Sequence, residues 1–353
     1  MQPKASSRPT RLMRRIGLAA LLCAGLSPFP AAAQTGRETI TVYTTLEKEQ
    51  LGPYKAAFEK AHPNVEIAWL RDSPGIVLAR LLAEKDNPKA DVLWGVPLMH
   101  LLSLEKLGMI EPYAPKDYAT LKARFRDDKI PPAWTGMDTW MTLICFNTVE
   151  AKKRNIPAPE SWADLAKPVY KGQITMPNPA SSHTGYMAIN HWSQSMGDKA
   201  QSFMDSLHDN MALYTHSGSK PCKMAATGEY VIGISTDITA PQLKVKGAPI
   251  EIILPKDKTG WDIEATAIMK GTKHLKAAQA LADFSVTKAA AEQYNKFMAI
   301  VAYPGIFETP RGYPAGAEAA MADQNLTASA DNREALTQDW VKRYDSKSEP
   351  KSN

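Results

Sequence analysis

From Glu38 onward the chain alternates strand-like and helix-like segments, and this order limits the fold more than any single motif. Residues 39–44 form a β-branched run, residues 47–61 carry apolar side chains at helical spacing and stop before His62-Pro63, and residues 65–70 are strand-like again. A turn over 71–75 leads to a helix over 76–85, a strand over 90–94 and a helix over 98–107. Repeated β-α units of this spacing predict an α/β protein whose sheets are mostly parallel and flanked by helices. In such sheets ligands collect beyond the carboxyl ends of the strands, where loops run into helix starts. The loops so placed are 44–47, 72–75 and 94–97. Each also has a purely structural explanation as a turn or helix cap.

A proline-rich, charged stretch over 111–132 interrupts the alternation, and a strand over 142–146 is expected to carry the chain into a second domain. There the segment Met176-Pro-Asn-Pro-Ala-Ser-Ser-His-Thr-Gly-Tyr186 joins a short strand to a helix running to Met196. Its hydroxyls, Ser181, Ser182 and Thr184, with the open backbone at Gly185, stand where unpaired N–H groups and the positive end of the helix dipole favour an anion. Serine and threonine are equally the preferred N-caps, whether or not anything binds. Thr215-His-Ser-Gly-Ser-Lys-Pro-Cys222 repeats the arrangement, with Ser217, Gly218 and Ser219 before a helix over 221–227. A strand over 261–269 is expected to return to the first domain. Helices over 273–284, 288–297 and 332–344 follow on that domain.

The first 33 residues read as a secretory signal peptide: a basic start (Arg11, Arg14, Arg15), an apolar run over 16–26 and small residues at 31–33. Cys23 follows Leu22 and so does not read as a lipidation site. The leader carries five of the 42 basic residues and none of the 37 acidic ones, which leaves the mature chain balanced. That balance gives no electrostatic reason to expect nucleic acid or a membrane surface as partner. Cys145 and Cys222 remain after cleavage, and in an oxidising compartment they are expected to be joined.

Catalytic signatures are scarce. The chain has no GxSxG elbow, HExxH, P-loop or dinucleotide glycine fingerprint, and its seven histidines show no metal-ligand spacing. His183 and His216 each adjoin a serine, so a secreted hydrolase with Ser182 or Ser217 as nucleophile stays open as an alternative. The expectation is nevertheless a binding protein and not an enzyme, with no cofactor and no metal.

Thr41-Val-Tyr-Thr44, Ala90-Asp-Val-Leu-Trp94 and Phe146-Asn-Thr148 resemble the periplasmic solute-binding proteins of ABC transporters, in the group that includes ferric-ion binders. Pro168-Val-Tyr-Lys-Gly172, Met176-Pro-Asn-Pro-Ala-Ser-Ser182, the run from Thr215 to Ala226 and Gly260-Trp-Asp-Ile-Glu-Ala-Thr266 are similar to members for 2-aminoethylphosphonate. The resemblance implies a monomeric, two-lobed periplasmic receptor with its ligand cleft between the lobes and an ABC permease in the inner membrane as partner. The expected division is lobe 1 over 34–137 and 264–345, lobe 2 over 138–263, and a flexible tail over 346–353. The adjacent tyrosine pair typical of ferric binders is missing.

2-Aminoethylphosphonate would need N–H and O–H donors for its anionic head: Ser181, Ser182, Thr184, Gly185, Ser217, Gly218 and Ser219 from lobe 2, with Ser73, Thr44 and Thr45 closing from lobe 1. Its ammonium would need a carboxylate or an aromatic face. Of Asp138, Glu264, Asp262 and Glu47, the first two are favoured because they flank the inferred crossings, with Trp94 and Trp140 as faces. A receptor for another small oxyanion or zwitterion, or for a ferric complex, is the alternative within the class.

Overall fold

The structure is a computed structural model and describes residues 36–306 and 308–350. The expected signal peptide lies outside them. Among the described residues no helix is long and apolar enough to cross a membrane.

The predicted alternation is realised in the first lobe: β1 (Glu38–Thr44), α1 (Lys48–Ala61), β2 (Val65–Arg71), α2 (Pro74–Ala83), β3 (Val92–Pro97) and α3 (Leu98–Lys106). β1 lies between β2 and β3 and is parallel to both. After β4 (Ile110–Glu111) comes β5 (Thr135–Asn147), much longer than the five residues expected and buried along its whole length. The second lobe then follows as α4 (Thr148–Arg154), β6 (Ile174–Pro177), α5 (His183–Met196), α6 (Ala200–Asn210), β7 (Met211–Thr215), α7 (Lys220–Thr227), β8 (Ile232–Thr236), α8 (Thr239–Val245) and β9 (Ile250–Ile253). β10 (Trp261–Met269), α9 (Leu275–Ser285) and α10 (Lys288–Tyr294) return to the first lobe, and α11 (Ala317–Ala320) and α12 (Leu326–Tyr344) complete the chain. The helix expected near residue 162 is only a 3-10 turn, Ala163–Ala166.

The strands pair in the order β2-β1-β3-β10-β5-β8-β6-β7, and the order shows how the lobes are joined. The first half of β5 pairs antiparallel with β10, whereas Thr142–Phe146 pairs with β8. One strand therefore belongs to both sheets and changes partner at residues 141 and 142. Asp138 and Trp140, expected just ahead of this strand, lie inside it. The crossings fall close to 141 and 260, a few residues from the expected 137 and 264, because the polar residues near Asp138 read as loop while they in fact lie buried within a strand.

A second correction concerns the C-terminus. α12 was expected on lobe 1, yet Trp340 packs edge-on to Tyr214, Tyr344 donates to Asp205 Oδ1 at 2.6 Å, and the Arg333 guanidinium lies 5.5 Å above the Tyr186 ring, all in lobe 2. It also reaches lobe 1, where Lys106 pairs with Asp331. Residues 346–350 do not form the flexible tail expected: Asn178 donates to Asp345 and Ser348, and Glu349 accepts from the His216 N–H at 2.6 Å. Hydrogen-bonded ends of this kind resist fraying.

Candidate functional site: a cleft between two helix starts and a carboxylate floor

Proline and glycine set the first loop of lobe 2. Asn178 Oδ1 accepts from the Ala180 N–H at 2.7 Å, which turns the chain off β6, and a Cβ on Gly185 would strike the Pro177 carbonyl. Gly185 is thus small so that α5 can pack on its own corner, and it does not line the cleft. Ser182 is the N-cap residue of α5, but its side chain makes no capping bond, and its buried Oγ has no hydrogen-bond partner. A plain cap would use the hydroxyl on the helix N–H groups, whereas here it stands unpartnered on the wall of the cleft.

The second loop meets the first. A Cβ on Gly218 would lie 3.1 Å from Ser182 Oγ and would collide with Thr184 Oγ1, so the α5 and α7 starts converge on one point. Thr215 Oγ1 and Ser235 Oγ donate to the carbonyls of Ser217 and Gly218 and fix the loop from behind. Cys145 and Cys222 form the expected disulfide, tying α7 to the crossing strand inside a small apolar cluster.

Ser182, Thr184, Ser217 and Gly218 line a cavity of about 30 Å³ between the lobes, together with Thr236 and Ile238 of the same lobe. Thr45, Glu47, Arg71, Ser73 and Pro74 close it from lobe 1, and Trp140 and Glu264 on the crossing strands form its floor. So small a cavity holds little beyond a water molecule or two, and the lobes are shut on it. The Gly75 N–H donates to the Ser181 carbonyl at 3.2 Å across the mouth, and a Cβ on Gly75 would come within 2.6 Å of the Ala180 oxygen.

Eight of the expected ligand residues therefore meet: Ser182, Thr184, Ser217, Gly218, Ser73, Thr45, Trp140 and Glu264. The other six do not line the cavity. Ser181 Oγ turns to His216 Nδ1 at 3.1 Å, Ser219 Oγ pairs with Ser217 Oγ, and Thr44 Oγ1 accepts from the Leu46 N–H. Trp94 is wholly buried in the lobe 1 core, stacked on Trp69 and donating to Tyr294 Oη, so it offers the cleft no face. Asp138 lies behind the floor, directly opposite Glu264 in the strand register. Gly185 packs on the Pro177 corner.

Arg71 was missed. It stands at the carboxyl end of β2, the edge where α/β sheets collect ligands, and that position was the available signal. Its Nε donates to the Leu46 carbonyl at 2.9 Å and a terminal nitrogen to Glu47 at 3.2 Å, which holds a planar cation at the cavity wall. Thr236 and Ile238 were missed too. Both follow from β8 ending at the cleft.

The floor is acidic. Both oxygens of Asp138 and Oε2 of Glu264 are buried without a hydrogen-bond donor. Burial pushes both carboxyls well above the usual carboxylate range, and for Glu264 the neighbouring Asp138 charge adds to the effect. Asp237, behind them, is raised to about 7 by burial, although the Met141 N–H and Tyr313 hydroxyl donate to it. Asp262 is already engaged, accepting from His183 Nε2 at 2.7 Å.

The same contacts count against hydrolysis. Ser182 Oγ touches no base, Ser217 Oγ pairs with another serine, and His183 is turned to Asp262. A serine nucleophile needs a base within hydrogen-bond reach.

Residues 87–328, more than half of the chain, match the family model described as bacterial extracellular solute-binding protein. The chain belongs to this family. An uncharacterised protein of Haemophilus influenzae is 29% identical over 330 residues, 91% of this chain and 94% of its own length. A probable ABC transporter periplasmic-binding protein of Sinorhizobium fredii is 32% identical over 158 residues, 44% of this chain and 41% of its own. Among solved structures, the periplasmic binding protein AfuA of Actinobacillus pleuropneumoniae with fructose-6-phosphate bound is similar, with a TM-score of 0.81 at 28% identity over 88% of this chain and 99% of AfuA. The two-lobed solute-binding fold is thus established, and the family consists of binding proteins.

Proposed function

We propose that this solute-binding protein is a periplasmic receptor for 2-aminoethylphosphonate, which it closes upon and delivers to an ABC permease. The observation that carries the reading is the opposed chemistry of one small cavity. At one end stand the unpartnered Ser182 hydroxyl, Thr184, the Ser217–Gly218 helix start and Arg71; on its floor stands Glu264, buried and short of a donor. The first set suits a tetrahedral anion, which accepts from hydroxyls, backbone N–H groups and guanidinium. The second suits a cation, since an ammonium would bring a donor to Glu264 Oε2, which has none. Trp140, beside Glu264, adds an aromatic wall. A periplasmic-binding relative supports the transport setting, and AfuA, which holds fructose-6-phosphate, supports a phosphorus oxyanion as the group recognised.

A sugar phosphate is therefore the second reading. The acidic floor favours the amine-bearing ligand. A thermal-shift comparison on ligand-stripped mature protein distinguishes them, because a ligand at 100 times its dissociation constant stabilises by about 2.7 kcal/mol. The largest rise in Tm is expected with 2-aminoethylphosphonate, a smaller one with ethylphosphonate and little with fructose 6-phosphate. A dominant response to fructose 6-phosphate would replace the proposal with the sugar-phosphate reading.

A further inference from the structure

We infer that Asp138 and Glu264 share one proton in the ligand-free receptor and give it up to solvent when a ligand's cationic group enters, so that capture of an amine is coupled to proton release. The inference rests on the proposed amine ligand and adds to it a role for Asp138, which lies behind the cavity wall.

Glu264 and Asp138 are direct partners in the antiparallel register of β10 and β5, so their side chains leave the same face of adjacent strands. Asp138 is fully buried and Glu264 nearly so. Neither Asp138 oxygen, nor Glu264 Oε2, has a donor. Two ionised carboxylates so placed would be desolvated, unsatisfied and mutually repelling. One proton between them turns one into a hydroxyl donor and the other into its acceptor, and the pair then titrates as a unit.

The surroundings offer no other remedy. Asp237 and Glu47, the further acids acting on the pair, add negative charge. Asp262, next along the same face, is bonded to His183. Arg71, the cation of the cavity wall, is engaged by Glu47 and the Leu46 carbonyl. Two nearby phenols spend their O–H elsewhere, Tyr294 on the Ser285 carbonyl and Tyr313 on Asp237, and Tyr54, which accepts from Gln50, donates to neither Asp138 oxygen nor to Glu264 Oε2. Burial, strengthened at Glu264 by the Asp138 charge, holds both acids up, in agreement with the geometry. An ammonium arriving at Glu264 supplies the missing donors and a compensating charge. The shared proton then passes to buffer, and no other reactant is required.

Two measurements test this. Infrared spectroscopy of the ligand-free protein at neutral pH should show a protonated-carboxyl band that is lost in the Asp138→Asn, Glu264→Gln double variant and retained in Asp237→Asn. No band in the wild type, or one carried wholly by Asp237, would overturn the shared proton whatever the ligand is. Calorimetric titration with 2-aminoethylphosphonate in buffers of different ionisation enthalpy counts the protons released. The wild type should release about one more than Asp138→Asn, in which only the phosphonate head contributes. Equal counts would overturn the coupling. Failure of 2-aminoethylphosphonate to bind at all would instead remove the proposed ligand, and the infrared band would still decide the shared proton.

Discussion

At the scale of single residues, the account turns on which polar groups the protein leaves unsatisfied. Ser182 Oγ has no partner, whereas the hydroxyls of Ser181, Ser219 and Thr44 are bonded within their own loops. Ser182→Ala and Ser217→Ala should each weaken binding of 2-aminoethylphosphonate about tenfold or more, as expected for losing a hydrogen bond of about 1.5–3 kcal/mol to a charged group; unchanged affinity in both would place the head elsewhere. Asp237 gives a pH prediction. Its folded value of about 7 lies above the ordinary 3.8, so its contribution to stability is complete below the ordinary value and is lost as pH rises through about 7. Asp237→Asn should flatten that decline in denaturant unfolding followed across pH, and an unchanged slope would contradict the burial argument. The hydroxyl clusters were legible in the sequence because helix starts announce themselves by residue type. Trp94 was misread because sequence order does not say which face of a pleated strand a side chain takes, and this one enters the core.

At the scale of elements, the start of α2 and the loop before α5 touch when the lobes are shut. Gly75 permits that contact, because a methyl group would meet the Ala180 and Ser181 carbonyls at 2.6 and 2.9 Å. Gly75→Ala should therefore disfavour closure. A closed state made about 1.4 kcal/mol less favourable weakens binding tenfold, and small-angle scattering with ligand present should show a more open particle. Native affinity in that variant would mean that closure does not use this contact. The disulfide closes a loop of 77 residues and holds α7 against β5, and its reduction should cost about 4 kcal/mol in denaturant unfolding; a negligible change would show that the surrounding apolar cluster suffices. Most helices and strands could be read from apolar period and turn chemistry. β5 could be read only from residue 142 onward, since Gly136, Asp138 and Thr139 break the pattern of a buried strand, and its burial there comes from segments distant in sequence, among them Phe125 and residues 300–302.

At the scale of the whole molecule, β5 runs through both sheets and α12 leans on both lobes, so opening the cleft bends these connections. A ligand drives closure only through contacts that exist in the closed state alone. In the proposed receptor those contacts join the head held by lobe 2 to Ser73 and Arg71 of lobe 1, above an amine held on the floor. The α/β class was visible in the β-α alternation, and the two-lobed plan in the resemblance to solute-binding proteins. The placement of α12 was not, because its partners on lobe 2 are distant in sequence. The most direct test is calorimetric titration of ligand-stripped mature protein with 2-aminoethylphosphonate and then with ethylphosphonate, which keeps the head and lacks the amine. The account predicts one-to-one binding of the first and at least tenfold weaker binding of the second. Equal affinity for the two, or heat from neither, would contradict it.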